Sequence, residues 1–122
     1  MIRLNPNLAY VYNFRGNAFY AKGQYDLAIT DYSQTIRLEP YSIYAYDNRA
    51  LAYQKKKQPN LAITDYSHAI KLQSDDALAY FGRGLVYSEN GQFELARKDW
   101  LMVKRLDYSL FLTLDEKDRQ LL

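Results

Sequence analysis

Apolar and polar positions along this chain alternate with the spacing of amphipathic helices, and the predicted helices come in pairs. Apolar or small residues recur every three or four positions over 9–20 and again over 25–38, which predicts two helices. The turn residues Gly23-Gln24 separate them, and Pro40 ends the second helix because the residue before a proline disfavours the helical conformation. The pattern therefore predicts an antiparallel helix pair with a short turn.

Two further pairs follow the same pattern. The second is predicted at about 42–56 and 59–72, where Pro59 suits the first helical position because its missing N–H has no helical partner there. The third is predicted at about 76–89 and 93–106, with a break at Asn90-Gly91-Gln92. We therefore expect three helix pairs with very short turns.

A sequence repeat underlies these pairs. The segment Leu27–Ser33 returns letter for letter as Leu61–Ser67, 34 residues later, and a looser copy begins at Leu95 after the same interval. A fixed period without insertions is typical of stacked copies of one supersecondary unit, each of which buries its apolar face against its neighbours. Stacks of this kind present extended surfaces on which other molecules bind.

The 34-residue period also aligns small residues and aromatic residues into columns. Small residues permit two helix backbones to approach closely, and aromatic side chains fill the space around such contacts. The small columns are Gly16/Ala50/Gly84 and Ala28/Ala62/Ala96, and the aromatic columns are Tyr12/Tyr46/Tyr80, Phe19/Tyr53/Tyr87 and Tyr32/Tyr66/Trp100.

These columns, the 34-residue helix–turn–helix unit and the prolines Pro6 and Pro40 resemble the tetratricopeptide repeat (TPR). The resemblance covers nearly the whole chain and implies an all-α, right-handed α-solenoid of three antiparallel helix pairs with a C-terminal capping helix. Residues 1–6 then match the end of a preceding repeat, and we expect a bare face on the first helix. The expected single domain has repeats at 7–40, 41–74 and 75–108 and a capping helix within 109–122. The chain departs from the family pattern at Ala50, Lys57-Gln58-Pro59, Ser74 and Tyr108.

The C-terminal segment carries its own helix signals. Thr113 and Glu116 have the spacing of a capping box, which predicts a short helix from about Thr113 to Gln120. Its apolar residues, Leu114, Leu121 and Leu122, are expected to pack inward. Solenoids commonly need such a terminal cap.

Composition narrows the function classes. The 122 residues include 16 basic and 14 acidic side chains, for a net charge of +2, and no cysteine. The absence of cysteine excludes disulfides and thiolate metal sites. The small net charge gives no strong electrostatic argument for nucleic-acid binding. No apolar run is long enough to span a bilayer or to form a signal peptide, so we expect a cytoplasmic protein. The only histidine, His68, is expected on the surface, without the convergent partners that a catalytic site needs. The sequence also has no metalloprotease motif and no phosphate-binding loop. We therefore expect no enzyme activity, metal or cofactor.

Two charged columns run through all three repeats. We interpret them as one structural ion pair per repeat, because an acidic partner recurs with each arginine, and the alternative is an anion-binding ladder of arginines. The columns are Arg15/Arg49/Arg83 and Asp31/Asp65/Asp99.

The resemblance further implies that the first helix of each repeat lines a concave groove in which peptide ligands lie. The candidate binding residues carried over to this sequence are Tyr10, Asn13, Phe14, Asn17 and Tyr20 in the first repeat, Tyr44, Asp47, Asn48 and Leu51 in the second, and Leu78, Phe81 and Leu85 in the third.

In chaperone-binding members of this family, the groove holds a ligand's C-terminal carboxylate with lysine and arginine beside two asparagines. Asn17 and Asn48 lie where those asparagines belong, but the basic places hold Asn13, Leu78 and Gly82. An unpaired carboxylate is costly to desolvate, so we expect no useful affinity for acidic chaperone C-terminal tails.

We expect instead an apolar or amphipathic peptide. Its side chains would bury against apolar walls while Asn17 and Asn48 hold its backbone. The expected apolar contacts are Tyr44, Leu51, Phe81 and Leu85.

The sequence therefore predicts a non-enzymatic protein–protein interaction scaffold that binds a partner segment in its groove. The alternative is a structural module that assembles into a homo-oligomer through the groove or through the uncapped N-terminal end. The alternative to an external ligand on the apolar wall is that the chain's own C-terminal helix or a second copy covers it. RNA binding through the arginine column and Lys55–Lys57 is a third and weaker interpretation.

Overall fold

The computed structural model describes residues 8–122 of the chain, and these form helices joined by short turns. Residues 8–106 form three helix pairs: α1 (Leu8–Ala21) with α2 (Tyr25–Leu38), α3 (Ile43–Lys55) with α4 (Pro59–Leu72), and α5 (Ala77–Glu89) with α6 (Phe93–Leu106). Two short helices follow, α7 (Tyr108–Phe111) and α8 (Glu116–Arg119). Within each pair the two helices pack together, and α2 contacts α3 as α4 contacts α5. The predicted all-α solenoid of helix pairs is confirmed.

The predicted helix bounds agree with the structure, with one systematic difference. Helices α3 and α5 begin one residue later than predicted, because Ser42 and Asp76 are their N-cap residues. The side chain of Ser42 accepts a hydrogen bond from the backbone N–H of Ala45 at 3.4 Å, and that of Asp76 accepts one from Ala79 at 3.3 Å. These bonds satisfy amide groups that have no partner within the helix.

The turn inside each pair uses a left-handed residue at the same repeat position. Gly23 and Gly91 have φ values of +76° and +77°, and Lys57, which lies 34 residues from each, has a φ of 60°. A side chain makes this conformation unfavourable, which is why glycine is the usual residue there. The second turn therefore keeps the geometry of the other two turns, although it has a lysine where they have a glycine.

The core forms where aromatic side chains of the second helices meet small residues of the first helices. Tyr32, Tyr66 and Trp100 are almost fully buried. A Cβ built on Gly16 would lie 2.8 Å from Cε1 of Tyr32, and one on Gly84 would lie 2.7 Å from Cδ1 of Trp100. The predicted pairing of small and aromatic columns thus describes the packing between helices.

The C-terminal segment differs from the single helix predicted over 113–120. Two short helices, α7 and α8, take its place, and the hydroxyl of Thr113 donates to the carbonyl of Leu110 at 2.6 Å instead of capping a helix. The N-cap of α8 is Asp115, whose side chain makes no capping bond. The predicted capping box is therefore wrong, because the Thr113 hydroxyl closes the turn after α7.

The inward packing predicted for this segment does occur. Leu114 is buried with Phe111, and Leu121 and Leu122 pack against the cluster that these two residues form with Ala96, Trp100 and Val103. The segment therefore covers the end of the third repeat. The proposed remnant at 1–6 lies outside the described residues, and the repeat boundaries stay predictions. Within residues 8–122, no helix has both the length and the apolar character needed to cross a membrane.

Candidate functional site

Each repeat contains one two-pronged ion pair between its first and second helices. The Nε and Nη2 atoms of Arg49 donate to the two carboxylate oxygens of Asp65 at 2.7 and 2.8 Å. The same geometry joins Arg15 to Asp31 and Arg83 to Asp99. This agrees with one structural ion pair per repeat.

The arginines also join successive repeats. Nη1 of Arg49 donates to the hydroxyl of Ser33 at 3.1 Å, and Nη1 of Arg83 donates to Ser67 at 3.0 Å. Each guanidinium additionally lies between two aromatic rings of its own helix, at 5.6–5.9 Å from the ring centroids. The guanidinium groups of Arg49 and Arg83 are engaged inside the fold, and that of Arg15, whose side chain is 58% exposed, is paired with Asp31. These contacts argue against an anion-binding ladder.

The predicted groove residues of α1 are mostly accessible. Tyr10 and Phe14 are exposed, with ring centroids 5.7 Å apart, and Asn17 is exposed beside them. Asn13 is half-buried, and its Oδ1 atom has no hydrogen-bond partner among residues 8–122. Tyr20 is half-buried, which places it at the edge of this face.

A concave pocket forms where α1 meets α3. Its walls are Asn17, Tyr20, Tyr32, Asn48 and Leu51. The Oδ1 atom of Asn17 accepts hydrogen bonds from the hydroxyl of Tyr32 at 2.7 Å and from Nδ2 of Asn48 at 3.2 Å. The two asparagines predicted as binding residues are thus brought together, and we call these five residues the amide pocket.

Tyr32 was not predicted to reach the groove. The sequence places it in an aromatic core column, and its ring is indeed buried, but its hydroxyl extends to Asn17. Tyrosine in a core column is itself a usable signal, because a buried hydroxyl generally finds a polar partner.

The predicted residues of the third repeat divide into two groups. Leu78 is exposed, whereas Phe81 and Leu85 are half-buried against the C-terminal cluster of Trp100, Phe111 and Leu114. Two of the four expected apolar contacts are therefore partly covered by the chain itself. Tyr44 and Leu51 remain exposed, so the open part of the apolar wall lies on α3.

Asp47, predicted to contact a ligand, is buried beside Asp76. Burial is the main cause that raises the pKa of Asp47 to about 9, and the neighbouring carboxyl group of Asp76 adds to it. Asp76 is a groove residue that was not predicted, although its position just before the helix at 77–89 marks it as an N-cap. His68, as expected, is exposed, and its ring stacks on Tyr46.

The comparisons identify the fold family. A family model described as TPR repeat matches residues 16–57 and 58–100, which together make up more than half of the chain. The chain belongs to the TPR repeat family. A search of the curated proteins found no match for this TPR domain.

Several solved structures are similar to this TPR domain. The first TPR of Spaghetti (RPAP3), bound to the HSP90 peptide SRMEEVD, is 28% identical with a TM-score of 0.84, over 98% of this chain and 91% of that chain. The second TPR of Spaghetti (RPAP3), bound to the same peptide, is 30% identical with a TM-score of 0.80, over 82% and 93%. The second TPR domain of human RPAP3, in complex with the HSP70 peptide SGPTIEEVD, is 27% identical with a TM-score of 0.81, over 94% and 92%.

These structures overturn one prediction. The expectation that acidic chaperone tails are excluded as partners is wrong, because similar TPR domains bind the acidic peptides named above. The expectation counted only the basic places occupied by Asn13, Leu78 and Gly82. That expectation overlooked Lys55, which is exposed. Lys55 follows Asn48 by seven residues and Leu51 by four, so the three side chains lie on the same face of α3.

Proposed function

We propose that this TPR domain is a protein-interaction scaffold that binds an extended peptide segment of a partner protein along the first helices of its repeats. The amide pocket is the observation that supports this most directly. It joins two repeats, it is open to solvent, and it presents hydrogen-bonding groups at the base of an otherwise apolar and aromatic wall.

The hydrogen bonds inside the amide pocket leave donors for a ligand. Oδ1 of Asn17 accepts from two neighbours, and Nδ2 of the same side chain donates to none of the described residues. Asn48 uses Nδ2 in this network and keeps its Oδ1 atom for a donor. An extended peptide offers both a carbonyl and an N–H along its backbone, so the pair suits main-chain recognition.

Acidic C-terminal chaperone peptides are the first ligands to test. Similar TPR domains bind SRMEEVD and SGPTIEEVD, and Lys55 adds positive charge on the α3 face next to the amide pocket. Exposed Tyr44 and Leu51 on the same helix add apolar contact area. After ordering costs, an affinity on the order of micromolar is expected.

The test is a fluorescence-anisotropy titration with both labelled peptides. The double variant Asn17→Ala/Asn48→Ala is expected to weaken binding at least tenfold, because it removes the amide donors and acceptors at the base of the pocket. Asn60→Ala is the matched control, since Asn60 is exposed on α4, and it should bind as the parent does. Equal affinity of the double variant and the control, with both folded by circular dichroism, would contradict the proposal.

A second candidate function is self-assembly through α1. Tyr10, Val11 and Phe14 are all exposed on this one helix, and a second copy of the chain would cover this apolar face. Sedimentation equilibrium of the parent and of Phe14→Asp separates the two functions. Concentration-dependent association that Phe14→Asp abolishes supports assembly, whereas a monomeric parent leaves the face to another partner.

A further inference from the structure

A second concave pocket lies where the turn after α2 meets the starts of α3 and α5. It contains three carboxyl groups, two tyrosine rings and apolar side chains. Its lining includes the carboxyl groups of Glu39, Asp47 and Asp76, the rings of Tyr41 and Tyr44, and the side chains of Ile43 and Leu78. We call this set the acidic pocket.

Two of its carboxyl groups are buried without full hydrogen bonding. Asp47 and Asp76 are each only 9% exposed, and Oδ1 of Asp47 and Oδ2 of Asp76 have no hydrogen-bond partner within residues 8–122. The other oxygen of Asp76 accepts from the backbone N–H of Ala79. Buried carboxylate oxygens are costly to leave unpaired, so this site favours a proton or a cation.

The groups that face Asp47 provide no positive charge. They are Asp76 from the start of α5, Tyr66 from α4, and Glu39 from the end of α2, which shares the pocket. Arg49 lies on the same helix as Asp47, but its guanidinium is committed to Asp65 and Ser33. The acidic pocket therefore lacks a counter-ion among the described residues.

The walls of the pocket distinguish an organic cation from a metal ion. In the part of the chain that the structure describes, no group of three or more acidic, histidine or cysteine side chains is arranged to hold a metal ion. Tyr41 and Tyr44 are 70% and 76% exposed and offer aromatic faces to a cation, while Ile43 and Leu78 offer apolar surface to an aliphatic stem. Arginine and lysine side chains combine these two features.

We propose that the acidic pocket binds an arginine or lysine side chain of the partner segment, with Asp47 and Asp76 as its carboxylate partners. The inference deepens the proposed function, since it assigns a second contact to the same peptide-binding face. The guanidinium or ammonium group pairs with the two unpartnered oxygens, and Glu39 adds negative charge at the rim. Because the carboxyl pair must lose its proton to accept a cation, binding is accompanied by proton release and strengthens as the pH rises.

The face would then be polarised. The amide pocket and Lys55 suit an acidic stretch of the ligand, and the acidic pocket suits a basic residue some distance along the same segment. Such an arrangement would fix the direction and register of the bound segment, because a reversed peptide would place like charges together.

The test uses the small probe N-acetyl-arginine-amide in a ¹H–¹⁵N NMR titration of the whole chain. We expect saturable shifts at the amides of Asp47, Asp76 and Leu78, with a millimolar affinity that strengthens at least threefold from pH 6 to pH 9. The neutral isostere N-acetyl-citrulline-amide is the matched probe and should cause no saturable shift. The double variant Asp47→Asn/Asp76→Asn should lose at least tenfold in affinity, while asparagine keeps the N-cap of α5.

Equal responses to the arginine and citrulline probes, or an unchanged affinity in the double variant, would overturn the acidic-pocket proposal. Mg²⁺ titrated alone should leave the same amides unshifted, and saturable binding of Mg²⁺ there would replace the proposal with a metal site. These measurements do not use the amide pocket. A failure of the acidic pocket is therefore distinguishable from a failure of SRMEEVD or SGPTIEEVD to bind the groove.

Discussion

The phenol ring of Tyr66 fills the space beside Gly82 in which a side chain would begin. A Cβ built on Gly82 would lie 2.8 Å from Cε1 of Tyr66 and closer still to the hydroxyl end of the ring. Tyr66 belongs to α4 of the second repeat and Gly82 to α5 of the third, so this contact joins two repeats. Gly82 is also one of the basic places of the chaperone-binding pattern, and the tyrosine leaves no room for a basic side chain there.

Gly82→Ala is therefore expected to lower the free energy of unfolding by roughly 1–3 kcal/mol, since overpacking forces side chains and backbone to shift. Tyr66→Leu removes the ring atoms that cause the clash. In that background Gly82→Ala should become neutral or stabilising, because alanine favours a helix interior by about 1 kcal/mol over glycine. Urea unfolding of the four chains of this double-mutant cycle checks the prediction. A cost for Gly82→Ala that is the same in both backgrounds would contradict it.

The turn residue Lys57 provides a second prediction. Its φ of 60° is unfavourable for a residue with a Cβ, whereas Gly23 and Gly91 occupy the equivalent turns. We expect Lys57→Gly to raise the free energy of unfolding by about 1 kcal/mol, measured by urea unfolding. The reciprocal variant Gly91→Lys is the matched control and should lower it by a similar amount, because no atom lies within 4 Å of a Cβ at Gly91 and only the backbone conformation matters. Changes of the same sign in the two variants would rule out this account.

The features that could be predicted from the sequence are those that recur with the period of 34 residues. Features that occur in every repeat, such as the buried Trp100 or the Arg83–Asp99 pair, could be predicted because each copy constrains the others. Features that occur once could not. The capping-box spacing at Thr113 also fits a different turn, and the N-cap role of Asp76 does not reveal that its second oxygen is buried next to Asp47.

The candidate site was harder to predict than the fold for the same reason. Helical spacing places Asn17 and Asn48 on first-helix faces, but only the packing of α1 against α3 brings them within hydrogen-bond distance. Likewise, the coverage of Phe81 and Leu85 depends on where the C-terminal segment folds back. Contacts between repeats are set by tertiary geometry, which a single repeat does not encode.

Variants of the Arg49–Asp65 pair show whether the ion pair adds stability or only avoids the cost of burying an unpaired charge. The Asp65 side chain is 3% exposed and that of Arg49 is 20% exposed. We expect Arg49→Leu to lower the free energy of unfolding by about 3–5 kcal/mol, because it leaves a buried carboxylate unpaired. The double variant Arg49→Leu/Asp65→Leu should recover most of this loss. Arg15→Leu is the comparison, and since the Arg15 side chain is 58% exposed, water can reach Asp31 and the loss should be smaller. Thermal and urea unfolding measure all three variants, and a double variant no more stable than Arg49→Leu would contradict the expectation.

The buried pair of Asp47 and Asp76 gives the domain a pH-dependent stability. The pKa of Asp47 is raised to about 9 in the folded chain, mainly by burial, whereas an unfolded aspartate titrates near pH 4. Between these two values the folded chain binds more protons than the unfolded chain. The free energy of unfolding contributed by this group is therefore full below about pH 4 and declines as the pH rises towards 9.

Asp47→Asn removes this titration and is expected to be more stable than the parent at pH 8 by at least about 1 kcal/mol, because asparagine is uncharged without taking up a proton on folding. Urea unfolding from pH 5 to pH 9 should show a shallower decline for the variant than for the parent. Asp75→Asn is the matched control, because Asp75 is exposed next to the pair, and its decline should parallel that of the parent. Parallel curves for parent and Asp47→Asn would show that Asp47 does not hold its proton. A cation seated between the two carboxylates would offset the same penalty, so N-acetyl-arginine-amide should stabilise the parent more at pH 8 than at pH 6 and should leave Asp47→Asn nearly unaffected.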